Sequence, residues 1–245
     1  MTLQRVMVAI PAWNEQASVG GVVRAVGEVF PSGVVVVVDD GSSDSTGIEA
    51  AAAGAKVLSL PFNVGVGGAM RTAFHYADKE GFDAVIQVDA DGQHDPREIP
   101  HLLKALEQNA VVIGARFAGR GDYSVGGPRR WAMKLLALAL SKVTGARLTD
   151  STSGFRASDR AAIRLFARHY PAEYLGDTVE SLVIAARSGL TVSQVPVEMS
   201  PRQAGIPSQS SLRSALYLGR AALALFVALT RRRPRVAPGD VPTLD

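Results

Sequence analysis

Short apolar runs alternate with segments of helical spacing through the first half of the chain. Val6 to Ile10 is an apolar run that ends at Pro11 and a polar turn. In Ala17 to Val29, Val19, Val22, Val23 and Val26 recur at helical intervals. Val34 to Val38 is an unbroken run of valine, the pattern of a strand buried on both faces of a parallel sheet. Asp39-Asp40-Gly41-Ser42-Ser43-Asp44 ends that run, and Ser43 or Asp44 can cap the helix that follows. The same alternation continues with strands at Lys56 to Leu60, Ala84 to Val88 and Val111 to Gly114, and helices at Gly68 to Lys79 and Pro96 to Gln108. Strands separated by helices of about a dozen residues predict βαβ units and a doubly wound α/β sheet.

The second half is less regular. Gly114 to Pro128 is rich in Gly and Arg and reads as a mobile loop; Thr149 to Arg156 reads as a tight polar segment. Helices are expected at Arg129 to Val143, Asp159 to Arg168 and Thr178 to Ser188, and a strand at Leu190 to Val197. After a loop at Ser200 to Ser211, Leu212 to Thr230 carries a helical stripe of Leu212, Leu216, Gly219, Leu223 and Phe226. Its most apolar stretch, Ala221 to Leu229, is bounded by Arg220 and Arg231. That is about half of the ~20 residues a spanning helix needs, so no membrane crossing is expected. The first residues lack the apolar stretch and cleavage site of a signal peptide. These patterns predict one domain over residues 1–210, an amphipathic helix over 211–233 and a disordered tail over 234–245.

Composition narrows the picture slightly. The 245 residues are 47% apolar and 20% charged, an ordinary globular balance with room for a sizeable core. A net charge of +3 is too mild to suggest nucleic acid as a partner. The chain has no cysteine, which excludes disulfides, thiolate metal sites and cysteine nucleophiles.

The chemistry gathers at predicted strand ends. The first strand runs into Pro11-Ala12-Trp13-Asn14-Glu15, the second into Asp39-Asp40, and the fourth into Asp89-Ala90-Asp91-Gly92-Gln93. In a doubly wound sheet these ends open onto one edge, where ligands bind. An acidic edge suits an anionic ligand when a hard cation such as Mg²⁺ or Mn²⁺ lies between carboxylate and phosphate. Alternation along an extended segment would put Asp89 and Asp91 on one side, with Ala90 pointing away and Gln93 continuing the acidic side. VDADGQ also resembles the nucleophile loop of haloacid-dehalogenase-type phosphatases, but that motif follows the first strand and here it follows the fourth. Gly65-Val66-Gly67-Gly68 has Met70 where a dinucleotide fingerprint needs its third glycine.

Together, IPAWNE, VVVDDGSSDST, NVGVGGAM, VDADGQHDP, GARF and DSTSGFRA resemble, in order and spacing, the motifs of family 2 glycosyltransferases. They are most similar to those of the polyprenyl-phosphate sugar synthases of the dolichyl-phosphate mannose synthase type, over roughly residues 5 to 205. The resemblance implies a GT-A fold, a nucleotide-diphosphosugar donor, inversion at the anomeric carbon and a polyprenyl-phosphate acceptor. It assigns Pro11, Trp13 and Glu15 to the nucleotide base, and Asp40 with its neighbour Asp39 to base and ribose. Asp89, Ala90, Asp91 and Gln93 fall at the metal and diphosphate, Arg116 and Arg130 at the acceptor phosphate, and Arg202 at the donor diphosphate. Asp177 lies where many family 2 enzymes carry a catalytic base for a hydroxyl acceptor; it reads equally as a helix cap. Ser153 and Arg156 fall near the acceptor. His94, beside polar loops, is expected to be solvated. Two positions depart from the pattern: Lys134 stands where many relatives carry Ser, and Gly205 to Gln209 lacks the usual Lys. The implied site of action is the cytoplasmic face of the membrane, reached peripherally through the C-terminal helix or a small membrane-protein partner. The alternative for that helix is packing on the domain. A nucleotide-sugar-binding subunit without catalysis is the remaining competing expectation.

Overall fold

The computed structural model describes residues 4–115, 128–171 and 177–199, and for 128–133 and 135 the backbone alone. The predicted alternation is realised. β1 (Val6–Ala12), α1 (Val19–Val29), β2 (Val34–Asp39), α2 (Thr46–Ala52), β3 (Lys56–Ser59), α3 (Gly65–Glu80) and β4 (Ala84–Gln87) build the first half. A 3-10 turn at Pro96–Glu98 leads into α4 (Ile99–Leu106), then β5 (Val111–Ala115) and α5 (Pro128–Thr144). β6 (Arg156–Asp159), α6 (Arg160–His169), α7 (Asp177–Arg187) and β7 (Val192–Pro196) follow.

The strands form one seven-stranded sheet in the order β3-β2-β1-β4-β6-β5-β7. β6 runs antiparallel to both β4 and β5, while the β1–β2, β1–β4, β2–β3 and β5–β7 pairs are parallel. The strand order therefore reverses direction from β1, and β2, β1 and β4 present their carboxyl ends side by side. That is the switch point at which such sheets bind ligands.

Each face of the sheet carries its own apolar layer. Met7, Ala9, Val36 and Val38 pack with Met70 and Phe74 of α3, Leu140 of α5, Phe166 of α6 and Leu182 of α7. Val8, Ile10 and Val37 pack with Val22 and Val26 of α1, Ala50 of α2 and Leu102 of α4. Alternation along β1 and β2 sends successive valines to opposite layers, so the run at 36–38 is buried on both sides. This mostly parallel α/β sheet, with helices on both faces, is the architecture expected.

Three local differences stand out. β1 continues through Pro11 to Ala12, because β2 pairs with it to the Ala12–Asp39 step. α3 begins at Gly65, three residues earlier than its apolar spacing indicates, because Asp40 accepts hydrogen bonds from the Val64 and Gly65 N–H groups (2.8 and 2.9 Å). β6 gave no strand signal at all. Its inward side chains are Arg156 and Ser158, which pair with Gln87 and Val85 of β4 in a polar seam through the sheet. The expected helix over 211–233 and tail over 234–245 lie outside the described residues, as does most of the 114–128 loop.

Candidate active site

An open cleft of about 330 Å³ lies over the carboxyl ends of β2, β1 and β4. Pro11, Trp13, Glu15 and Asp40 line one side, Asp89, Ala90 and Asp91 the floor, and Thr152, Gly154, Asp177 and Thr178 the other side. Five carboxylates thus face one space, and no lysine, arginine or histidine lines it among the described residues.

The side with Trp13 and Glu15 is built by two loops laced together. Asn14 takes a left-handed backbone (φ 54°), a conformation Asn tolerates better than most residues. Its side-chain oxygen accepts the Ser43 N–H (2.9 Å) and hydroxyl (3.2 Å), and its own N–H donates to Ser42 Oγ (3.0 Å). Glu15 N–H donates to Thr46 Oγ1 at 2.8 Å, and the Glu15 carboxylate accepts from Ser18 Oγ at 2.9 Å. Trp13 projects at the cleft mouth with 52% of its surface exposed, so it is not a core aromatic. Asp40 is buried and caps α3; burial pushes its carboxyl above the usual range, two backbone N–H bonds pull it down, and the Asp39 charge raises it. Asp39 is the last residue of β2, its carboxylate accepts the Ser42 N–H of the turn that follows (3.1 Å), and it does not line the cleft.

Asp89 to Gln93 is a tight turn, not the extended segment expected. β4 ends at Gln87, and Gly92 is left-handed (φ 76°), which folds the chain back. Side-chain alternation therefore does not apply: Ala90 faces the cleft together with Asp89 and Asp91. Asp91 is buried, and its Oδ1 accepts the Gln93 N–H at 3.0 Å. Gln93 sits behind this bond and is not among the cleft-lining residues. His94 is buried, contrary to the solvated role expected. Its ring stacks on Phe155 (4.8 Å between centroids, 13° between planes) and its Nδ1 accepts the Asp89 N–H at 2.9 Å.

Across the cleft, Asp177 opens α7 and is buried. Its Oδ2 and the Thr178 hydroxyl have no hydrogen-bond partner. Burial raises the Asp177 carboxyl to about 6; the nearby Arg156 guanidinium opposes the rise and the Asp89 charge adds to it. Arg156 does not reach the cleft. It donates to the carbonyls of Ser151, Ser153 and Thr178 and to Ser181 Oγ (2.8–3.0 Å), pinning the 151–154 loop to the start of α7. Ser153 is likewise buried and turned away, and Thr152 and Gly154 take its place at the surface of the cleft. Arg116 and Arg202 lie outside the described residues, and Arg130 is placed in α5 by its backbone alone.

This cleft joins residues from both halves of the sequence at one sheet edge. Asn14 and Gly154 carried no chemical signal in the sequence, since one ties two loops together through a left-handed backbone and its side-chain oxygen, and the other acts by lacking a side chain. Thr178 was visible only as a neighbour of Asp177. The position of Asp89 after the fourth strand excludes the haloacid-dehalogenase arrangement.

The family model of glycosyl transferase family 2 matches residues 7–167. The polyprenol monophosphomannose synthase of Mycolicibacterium smegmatis is 29% identical over 230 residues, covering 87% of this chain and 85% of that protein. The undecaprenyl-phosphate mannosyltransferase of Micrococcus luteus is 32% identical over 209 residues, covering 82% and 86%. Among solved structures, glucosyl-3-phosphoglycerate synthase of Mycobacterium tuberculosis with Mn²⁺, uridine diphosphate and glucosyl-3-phosphoglycerate superposes with a TM-score of 0.69. It is 22% identical, with 92% of this chain and 80% of that one covered. That likeness fixes the fold as the GT-A fold. With the acidic cleft at its switch point, the chain belongs to glycosyl transferase family 2.

Proposed function

We propose that this glycosyltransferase moves a sugar from a nucleotide-diphosphosugar to a polyprenyl phosphate, with inversion at the anomeric carbon. The observation that carries the reading is the convergence of Asp40, Asp89 and Asp91 on one cleft that Trp13 also lines. The acceptor class is supported by the relatives named for polyprenol and undecaprenyl-phosphate substrates.

Trp13 offers a flat exposed face for the base, with Pro11, Glu15 and Asp40 around it. Asp39 stays behind Asp40 and sets the turn. Asp89 and Asp91 suit a hard cation, Mg²⁺ or Mn²⁺, with Gln93 as a neutral oxygen at the end of the turn. Asp89 and Asp91 would hold the cation together with the diphosphate it serves. When bound, the cation neutralises the diphosphate and makes it a better leaving group. An oxygen of the acceptor phosphate attacks the anomeric carbon, and the bond to the diphosphate breaks with its electron pair leaving on the nucleoside diphosphate. The acceptor oxygen is already anionic near neutral pH and needs aiming more than deprotonation. Arg116 and Arg130 are proposed to hold it, and Arg202 to face the leaving diphosphate. No described helix is long and apolar enough to cross a membrane, and the protein is proposed to work peripherally at the cytoplasmic face.

A screen of nucleotide sugars with Mg²⁺ or Mn²⁺, with and without polyprenyl phosphate, tests the proposal. Donor consumption that requires the lipid phosphate is the expected result; no binding or turnover of any donor would sink it. A second reading is favoured by the buried, unpartnered Asp177 oxygen at the cleft. There Asp177 is the base for a hydroxyl acceptor. Asp177→Asn separates the two: near-full activity on a phosphate acceptor rules out the base, and loss of two or more orders of magnitude supports it.

A further inference from the structure

We propose that His94 is a positioning residue that orients Asp89 for the cation-bound diphosphate. The inference rests on the function proposed above. Both ring nitrogens of His94 address the same residue. Nδ1 accepts the Asp89 N–H at 2.9 Å, so that nitrogen carries a lone pair. Nε2 faces the Asp89 carboxylate, 3.6 Å from Oδ2, too long for a hydrogen bond but close enough to bias the carboxylate. A histidine that merely filled the core would spend its nitrogens on unrelated carbonyls. Here the same ring holds the backbone of one cleft-lining residue and faces its carboxylate.

The ring is itself fixed. It is only 4% exposed and lies flat on Phe155. Its own backbone forms an antiparallel bridge with Met199, just beyond β7. The remaining side of the Asp89 carboxylate is closed by Gly154. A Cβ built at Gly154 would come within 2.9 Å of both Asp89 oxygens. No positive φ demands glycine there, so the requirement is for space beside the carboxylate. Gln87 Nε2 touches Oδ1 from below at 3.4 Å. His94, Gly154 and Gln87 thus bound Asp89 on three sides and leave the cleft side open. Partners of this kind, which hold a ligating side chain in one orientation, typically govern about 10- to 100-fold in metal affinity.

The test uses the full chain and reads nucleotide binding with and without Mn²⁺, using UDP and GDP as probes, with free Mn²⁺ followed by its paramagnetic resonance. His94→Phe keeps the stack on Phe155 and deletes both nitrogens. His94→Asn keeps an acceptor near the Asp89 N–H. Gly154→Ala disturbs the same carboxylate without touching His94. We expect His94→Phe to lose about 10-fold or more of the Mn²⁺-dependent gain in nucleotide affinity while binding without Mn²⁺ is unchanged, Gly154→Ala to lose a similar share of that gain, and His94→Asn to recover part of it. A folded His94→Phe protein with the wild-type Mn²⁺ gain overturns the inference. If that variant does not fold, wild-type behaviour of Gly154→Ala overturns it. A wild-type protein that binds Mn²⁺-nucleotide while both variants match it defeats only this inference. A wild-type protein that binds no nucleotide with Mn²⁺ defeats the proposed function, and this inference with it.

Discussion

Asp177 couples the cleft to pH. Its carboxyl is raised from 3.8 to about 6 by burial, so the folded protein binds that proton more tightly than the unfolded chain does. The stability this contributes is present in full below about pH 4 and is lost as pH rises through about 6. Asp177→Asn removes the burden of a buried charge. Thermal melts of the ligand-free protein should show the variant more stable than wild type at pH 7, by at most roughly 3 kcal/mol, with the gap closing near pH 4. Equal melting at both pH values would mean that Asp177 ionises freely. Trp13 makes the opposite prediction. It is half exposed and contributes little to the core, so Trp13→Ala should stay within about 0.5 kcal/mol of wild type in urea unfolding. It should nonetheless weaken nucleotide binding by about 10-fold, measured by calorimetry. At this scale Asp40, Asp89 and Asp91 were legible because each lies just past an apolar run, whereas Asp177 was picked out by resemblance alone. His94 was not legible: its neighbours in sequence are polar, and the ring that buries it belongs to Phe155, far along the chain.

Among the elements, α3 shows how one carboxylate serves two purposes. Asp40 follows β2, lines the cleft and caps the N-terminus of α3 through Val64 and Gly65. Asp40→Ala removes both bonds, leaving the exposed Val64 N–H to solvent and the Gly65 N–H with its bond to Asn63 Oδ1 alone, and should cost about 1–2 kcal/mol in denaturant melts, besides any loss of nucleotide affinity. A cost below about 0.5 kcal/mol would show the cap to be unimportant. The apolar strands and helices of the first half were readable because their periodicity is undisturbed by function. The turn at Asp89 to Gln93 was misread because alternation assumes an extended chain, and Gly92 reverses direction instead. β6 was invisible for a related reason. Arg156 and Ser158 are both buried, and Arg156 is held by hydrogen bonds to Ser151, Thr178 and Ser181, contacts that no local pattern of hydrophobicity records.

For the whole molecule, the two apolar layers hold the sheet together, and no cluster of three His, Asp or Glu among the described residues would make a cation part of the fold. Chelation with EDTA should therefore leave the melting temperature of the ligand-free protein unchanged. Adding Mn²⁺ and nucleotide at about 100 times the dissociation constant should stabilise it by about 2.7 kcal/mol. A fall in melting temperature on chelation alone would instead assign the cation a structural part. The doubly wound architecture was legible from the chain as a whole. The composition of the cleft was not, because its far wall comes from a loop and a helix start that only the tertiary fold brings opposite Asp89.

The reversed strand β6 has a consequence for how the protein tolerates changes of length. Every parallel strand leaves the ligand edge by its carboxyl end, so the loops that follow can grow outward. β6 enters from that edge, with Gly154 against Asp89 and Arg156 paired to Gln87. A single residue inserted between Gly154 and Arg156 must either lift the loop off Asp89 or shift the strand by one position. The second choice would turn Arg156 and Ser158 into the apolar layer and Ala157 into the polar seam. Insertions there are poorly accommodated, whereas the turn from α2 into β3 can lengthen at Gly54, where an added side chain would meet open space, with far less disturbance. In a library of one-residue insertions, the 154–156 stretch should stand out as a point of fixed length.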